Sequence, residues 1–237
     1  MTSTISPAAP PGAERQTVPL SGLRAAIARN MSIGWQVPRV AHSIEADVSV
    51  LEALRSNVQQ APGSTQKITL TAYILRAVAL TLRQHPRLNA RMLEKEIELL
   101  PNINLGLAVS LAEGLMVPVL RDADSKSVAE LAAESRTLAE GARQGTLSAG
   151  NYQRGTFTVT NLGMTGIDSF TPIINAPQVA ILGVTRVAQK AVVRDGSIVI
   201  APMLGLHLVF DHRAVDGYPA ALFLTDLKNR LETAEGL

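Results

Sequence analysis

Residues 103–120 read INLGLAVSLAEGLMVPVL, the most apolar stretch of the chain. A bilayer span needs about twenty uninterrupted apolar residues. Here Glu113-Gly114 breaks the run and Pro118 sits near its end. The stretch therefore reads as two strands, Asn104 to Ser110 and Leu115 to Leu120, joined by a turn at Glu113-Gly114. No apolar run precedes a cleavage site in residues 1–16 (MTSTISPAAPPGAERQ), so no secretory signal is expected and the protein is placed in the cytoplasm, away from membranes.

Helical periodicity flanks this sheet-forming stretch. Upstream, Leu23, Ile27 and Met31 recur every four residues before Pro38, and Leu51, Leu54 and Val58 mark a shorter helix. Leu70, Ile74, Ala77, Val78 and Leu82 form a broad apolar stripe that stops at His85-Pro86. Downstream, Ser127 and Glu130 form a capping box ahead of Leu131 and Leu138, and Phe223, Leu227 and Leu231 line a last helix ending near Gly236. Further strands are expected where Val40, His42, Ile44 and Ala46 alternate with polar residues, and over Thr156 to Thr160, Val179 to Val184 and Met203 to Phe210. Val192-Val193 and Ile198 to Ile200 bracket Asp195-Gly196, a hairpin signal. Strands and helices mix without a regular βαβ beat, which predicts an α/β sandwich with a mixed sheet. Residues 1–16 read as a flexible tail or linker stub and residues 17–237 as one domain.

Composition narrows the function. The 237 residues are 46% hydrophobic and 18% charged, enough apolar material for a large core. Twenty-two basic against twenty acidic residues leave a net charge of +2, which gives no electrostatic case for nucleic acid. Eight aromatic residues are too few for base-stacking platforms. The absence of cysteine removes disulfides, thiolate nucleophiles and sulfur metal ligands. Neither GxGxxG nor GxxxxGK[ST] occurs, and the four histidines share no metal-ligand spacing, so neither a nucleotide fold nor a metal site is expected.

His42, His85 and His207 read as structural or surface residues. His212 differs, because it stands in FDHRAVDG at 210–217, directly after an apolar strand and before a helix. Strand ends are where rigid scaffolds present reactive groups, and an imidazole accepts a proton near neutral pH. Taken by spacing alone, a salt-bridged loop explains the same residues.

The pattern Asp-His-Arg-x-x-Asp-Gly resembles the active-site motif of the dihydrolipoamide acyltransferase component of 2-oxo acid dehydrogenase complexes. The likeness runs through LSGLRAAIA at 20–28, RAVAL at 76–80, GLMVPV at 114–119, RDAD at 121–124, GTFTVTNLG at 155–163, FTPIIN at 170–175 and AILGV at 180–184. This resemblance implies a chloramphenicol-acetyltransferase-like two-layer sandwich, built as homotrimers with active sites between subunits, either as isolated trimers or stacked into a cubic or dodecahedral core. It implies coenzyme A as co-substrate and a lipoyl group as the other acyl carrier, with no metal. The decarboxylase and dihydrolipoamide dehydrogenase components would be partners. By motif, His212 would be the base on the coenzyme A thiol, whose reference pKa near 8.5 leaves it mostly protonated at pH 7. Thr160, where the family usually has serine, would donate to the tetrahedral oxyanion. Asp216 would hold the histidine loop, Asp211 and Arg213 would support it by ion pairing, and Arg24 would meet coenzyme A phosphates.

Several departures accompany the likeness. Threonine at 160 keeps the hydroxyl but adds a methyl and stiffens χ1. Arg154-Gly155 stands where the family often has two glycines. Sixteen residues before Thr17 do not hold a lipoyl domain, so the lipoyl group is expected from another domain or chain. An assembly scaffold of the same fold with weak activity is the alternative reading. An antibiotic O-acetyltransferase is disfavoured because Asp211 stands where that relative typically has a second histidine. By the same likeness, the NLGM run at 161–164 and the TPIIN run at 171–175 resemble acetyl or branched-chain members more than succinyl ones, and acetyl is favoured.

Overall fold

The computed structural model describes residues 17–61, 68–111 and 114–237. The expected tail at 1–16 and the Glu113 half of the predicted turn lie outside them. In chain order come α1 (Gly22–Trp35), β1 (Arg39–Asp47), α2 (Ser49–Gln60), α3 (Leu70–Gln84), β2 (Ala90–Met92), β3 (Ile97–Leu99), β4 (Leu105–Leu107), β5 (Val109–Leu111), β6 (Gly114–Met116) and β7 (Val119–Leu120). The remainder is α4 (Val128–Gln144), β8 (Phe157–Asn161), β9 (Ala180–Arg194), β10 (Ser197–Asp211) and α5 (Gly217–Thr233).

The main sheet has the order β1-β10-β9-β8-β4-β7. It is mixed, as predicted: β8 runs parallel to β4 and β9, and the other pairs are antiparallel. One face carries the core. Alternate residues such as Val159, Leu182, Leu206 and Phe210 are fully buried there against the apolar stripes of α3, α4 and α5. Each Leu or Phe so buried is worth about 1.5–3 kcal/mol of transfer free energy. Local chemistry sets the helix starts. Ser127 Oγ accepts from the Glu130 amide while Glu130 Oε2 accepts from the Ser127 amide, the reciprocal pair expected at α4. Thr69 caps α3 on the Ala72 amide.

The opposite face is covered differently, by α1 and the segment at 162–179. A small apolar cluster of Ile174, Ile181 and Val209, with Val37 against it, lies there. α1 reaches it because Gly34 has no side chain: a Cβ would stand 2.2 Å from the Ile174 carbonyl oxygen. The Leu23/Ile27/Met31 stripe therefore does not enter the main core; Leu23 is exposed and Ile27 and Met31 are half-buried.

Four other expectations change. The apolar runs at 179–184 and 192–193, read as separate strands, are parts of one fifteen-residue strand, β9; those at 198–200 and 203–210 join likewise as β10. Their hairpin turns at Asp195 and Gly196, both at positive φ (50° and 77°), as a type I′ turn requires. The strand pair at 103–120 exists but is cut in two: β4 pairs β7 within the main sheet, while β5 and β6 form a separate ribbon. Pro118, which has no amide proton, lies at the break. The β2–β3 pair was not foreseen, and α5 ends at Thr233, with Ala234 left-handed at φ 56°. Among the described residues no helix is long and apolar enough to cross a membrane.

Candidate active site

Thr160 lies on β8, on the face away from the core helices, paired across the ladder with Gly183 of β9, which in turn pairs with His207 of β10. It opens into a cavity of about 250 Å³ between the sheet, α1 and the 170–175 segment. Ile27, Met31, Val117, Phe170 and Ile173 give this cavity an apolar character. Three of its polar side chains are engaged in hydrogen bonds. Asn30 Nδ2 donates to Asn175 Oδ1 (2.9 Å), and Thr158 Oγ1 donates to Gln178 Oε1 (2.6 Å). The Thr160 side chain is half-buried at the cavity wall.

His212 is presented elsewhere. The β10 strand ends at Asp211, and the His212 amide donates to the Pro38 carbonyl (2.9 Å), leaving the imidazole exposed in a turn before α5. Asp211, only 1% exposed, holds that turn: its carboxylate accepts from the Arg213 amide (3.0 Å) and from Arg213 Nε and Nη2 (3.0 and 2.7 Å). The same hydrogen bonds push the Arg213 guanidinium above its ordinary pKa. Asp216 is the N-cap residue of α5 by its backbone angles, yet its exposed side chain makes no cap bond. The expected loop support thus rests in this chain on Asp211 and Arg213.

The two groups stand at different places on the sheet. Thr160 serves the cavity face, whereas the His212 ring lies 6.0 Å from that of Phe210, a residue of the core face. Strand spacing and rise put them about 15–20 Å apart within one chain. Arg24 is exposed in the first turn of α1, three residues before Ile27 and seven before Met31, and so on the helix face that borders the cavity. The predicted residues therefore form two groups, Thr160 with Arg24 and His212 with Asp216.

The other histidines have structural partners. His85 Nε2 meets Asp226 Oδ2 at 2.8 Å, and His42 packs edge-on against Phe210. His207 shares a 2.7 Å hydrogen bond between Nδ1 and Ser43 Oγ, and burial lowers its pKa despite the Asp168 carbonyl and Glu45 acting the other way. Sequence reasoning missed Phe170, Ile173 and Ile181 as cavity residues. Their signal lay in the FTPIIN run, which carried only family likeness, and in the AILGV run, which marked a strand without saying which face Ile181 serves.

Comparison with known proteins gives these residues a context. The family described as 2-oxoacid dehydrogenases acyltransferase (catalytic domain) matches residues 12–237. The dihydrolipoyllysine-residue acetyltransferase component of the pyruvate dehydrogenase complex of Bacillus subtilis is 41% identical over 216 residues, 90% of this chain and 49% of that protein. The lipoamide acyltransferase component of the branched-chain alpha-keto acid dehydrogenase complex of Pseudomonas aeruginosa is 40% identical, over 92% of this chain and 52% of that protein. The chain spans about half the length of the curated relatives it matches. Among solved structures, the dihydrolipoamide acetyltransferase of Azotobacter vinelandii superposes with a TM-score of 0.89 at 35% identity, covering 97% of this chain and 98% of that one. That work concerned the role of a serine, a histidine and an asparagine in its catalytic mechanism. A structure of the cubic core of a pyruvate dehydrogenase multienzyme complex matches equally well. A chloramphenicol acetyltransferase, 14% identical with a TM-score of 0.54 over 86% of this chain, shares the fold, as the family resemblance implied.

Proposed function

The chain belongs to the 2-oxoacid dehydrogenases acyltransferase (catalytic domain) family, and from that premise we propose that residues 17–237 form a dihydrolipoamide S-acyltransferase core. It moves an acyl group, acetyl by preference, between S-acyl-dihydrolipoyl groups and coenzyme A. One observation carries the reading. In the Azotobacter vinelandii protein 52 residues separate the serine from the histidine and 4 separate the histidine from the asparagine. The same intervals separate Thr160, His212 and Asp216 here.

The chemistry follows from the side chains. His212 takes the proton of the coenzyme A thiol, and the thiolate attacks the thioester carbonyl carbon of the acyl-dihydrolipoyl group. The carbonyl oxygen becomes an oxyanion and accepts a hydrogen bond from the Thr160 hydroxyl. Collapse breaks the carbon–sulfur bond to the dihydrolipoyl group, and the departing thiolate recovers the proton from the imidazolium. Asp216 replaces an asparagine at a helix N-cap, a position both residues suit. Arg24, at the cavity rim, meets a coenzyme A phosphate.

Thr160 and His212 lie too far apart within one chain to act on one carbonyl, so the base comes from a second copy. A trimer is the smallest assembly proposed, with a cubic or dodecahedral core built from it. Lipoyl-bearing domains, the decarboxylase and dihydrolipoamide dehydrogenase components are the further partners of this reading, and the cytoplasm is its compartment.

The test is acyl transfer from acetyl-coenzyme A to free dihydrolipoamide. His212→Ala is expected to cost ~10²–10⁴ in turnover and Thr160→Ala ~10²–10³. Co-assembling the two variants is expected to restore part of the activity, because some sites then pair an intact threonine with an intact histidine. A folded, assembled wild type inactive with acetyl, propionyl, isobutyryl and succinyl donors would instead establish the scaffold reading.

A further inference from the structure

Relatives acting in pyruvate and in branched-chain complexes are almost equally similar to this chain, 41% and 40% identical, so likeness does not select the acyl group. The cavity beside Thr160 carries that information. Phe170 forms its wall in an unusual way: the ring lies directly on the sheet over Gly183, where a Cβ would stand 2.8 Å from Phe170 Cζ. Gly183 is the ladder partner of Thr160, so the ring covers the strand next to the threonine, and Phe170 and Thr160 line the same cavity. His207, next along the row, has its ring 6.1 Å from that of Phe170 and is itself tied to Ser43. Among the described residues of this chain no lysine or arginine lines the cavity, and the Asn30–Asn175 and Thr158–Gln178 pairs already occupy much of its polar capacity.

A carboxylate placed in such a site would lose its water and gain no cation from this lining, with the Thr160 hydroxyl already engaged by the thioester oxygen, a severe penalty. We propose that the Thr160 cavity accepts neutral aliphatic acyl groups, rejects acyl groups that end in a carboxylate, and has Phe170 as the residue that limits acyl size. Gly183 and His207 are positioning residues that hold the ring in place. The inference rests on the acyltransferase reading above and deepens it to a substrate class.

The experiment measures kcat/KM of the full assembled chain with acetyl-, isobutyryl-, isovaleryl- and succinyl-coenzyme A and free dihydrolipoamide. Wild type is expected to use succinyl about 100-fold or more less well than isobutyryl. One methylene in an apolar pocket is worth about 10–200-fold. Phe170→Ala should accordingly raise the isovaleryl-to-acetyl ratio about 10-fold or more, with Phe170→Leu moving it less in the same direction. Gly183→Ala, which drives the ring into the cavity, should lower that ratio. Phe170→Leu is the small change that keeps the test decisive if the alanine variant does not fold. An active wild type whose ratio is unmoved by the folded variants, or which uses succinyl as readily as isobutyryl, overturns this inference and leaves the acyltransferase reading standing. A wild type inactive with all four donors overturns both.

Discussion

Val159 and Thr160 are neighbours on β8, as are Leu182 and Gly183 on β9 and Leu206 and His207 on β10, yet the two members of each pair face different worlds. Val159, Leu182 and Leu206 are fully buried beneath the core helices. Thr160, Gly183 and His207 make a single row on the other face: a hydroxyl, a bare backbone and an imidazole beside a cavity. Strand alternation alone produces this contrast, because successive side chains point to opposite sides. The lesson is a division of labour within the same three strands. The helix-covered face holds most of the apolar burial, which leaves the second face able to keep a cavity and polar groups that contribute little to folding.

The strongest way to break this comparison is through Phe157, fully buried at the core face against Phe223. Phe157→Ala is expected to lower the unfolding free energy by about 3–5 kcal/mol in denaturant titrations, with one cooperative transition. A loss below about 1 kcal/mol would mean that the core face does not dominate stability.

A change on the cavity face should be smaller and local. Gly34→Ala forces a Cβ against the Ile174 carbonyl and is expected to cost about 1–3 kcal/mol, as overpacking does. Hydrogen exchange should show faster exchange across α1 and residues 170–175, with β8, β9 and β10 still protected. Equal loosening of both faces would show that they fold as one indivisible unit.

His207 sharpens the comparison most finely. Burial holds its folded pKa below the ordinary 6.5. The folded protein therefore stays neutral at this site while the unfolded chain takes up a proton below about pH 6.5. The contribution is complete above that pH and is lost as pH falls towards the folded value. His207→Gln should flatten the fall in unfolding free energy between pH 7 and 5, by no more than about 1.4 kcal/mol per pH unit, the limit for one proton. Identical slopes in wild type and variant would show that the imidazole titrates as freely as in the unfolded chain.

Much of this architecture was legible one element at a time. The Leu70 to Leu82 stripe marked α3, Ser127 and Glu130 marked the start of α4, and Asp195-Gly196 marked the long hairpin, because each signal is local and each element forms by local rules. The merging of four apolar runs into β9 and β10 was not legible. The outer part of that ribbon is solvated, with Val193, Ile198 and Ile200 all more than three-quarters exposed, so burial imposes no alternation there. The stripe of α1 was legible as a helix but not as a cavity wall, since periodicity reports that one face is apolar and not what it packs against.

The candidate site divides along the same line. The sequence by itself determined the chemical groups: a histidine in a charged turn after a strand, a hydroxyl in a β-branched strand, and the 52-residue interval between them. Only the tertiary structure decided that Thr160 faces a cavity while His212 stands in an exposed turn beyond the end of β10, that Phe170 lies on Gly183 beside Thr160, and that Asp211 rather than Asp216 holds the histidine turn. The physical reason is that side-chain identity and local period are written along the chain. Which face each residue serves depends instead on the pairing of β8, β9 and β10, and that pairing is made by hydrogen bonds between segments far apart in sequence.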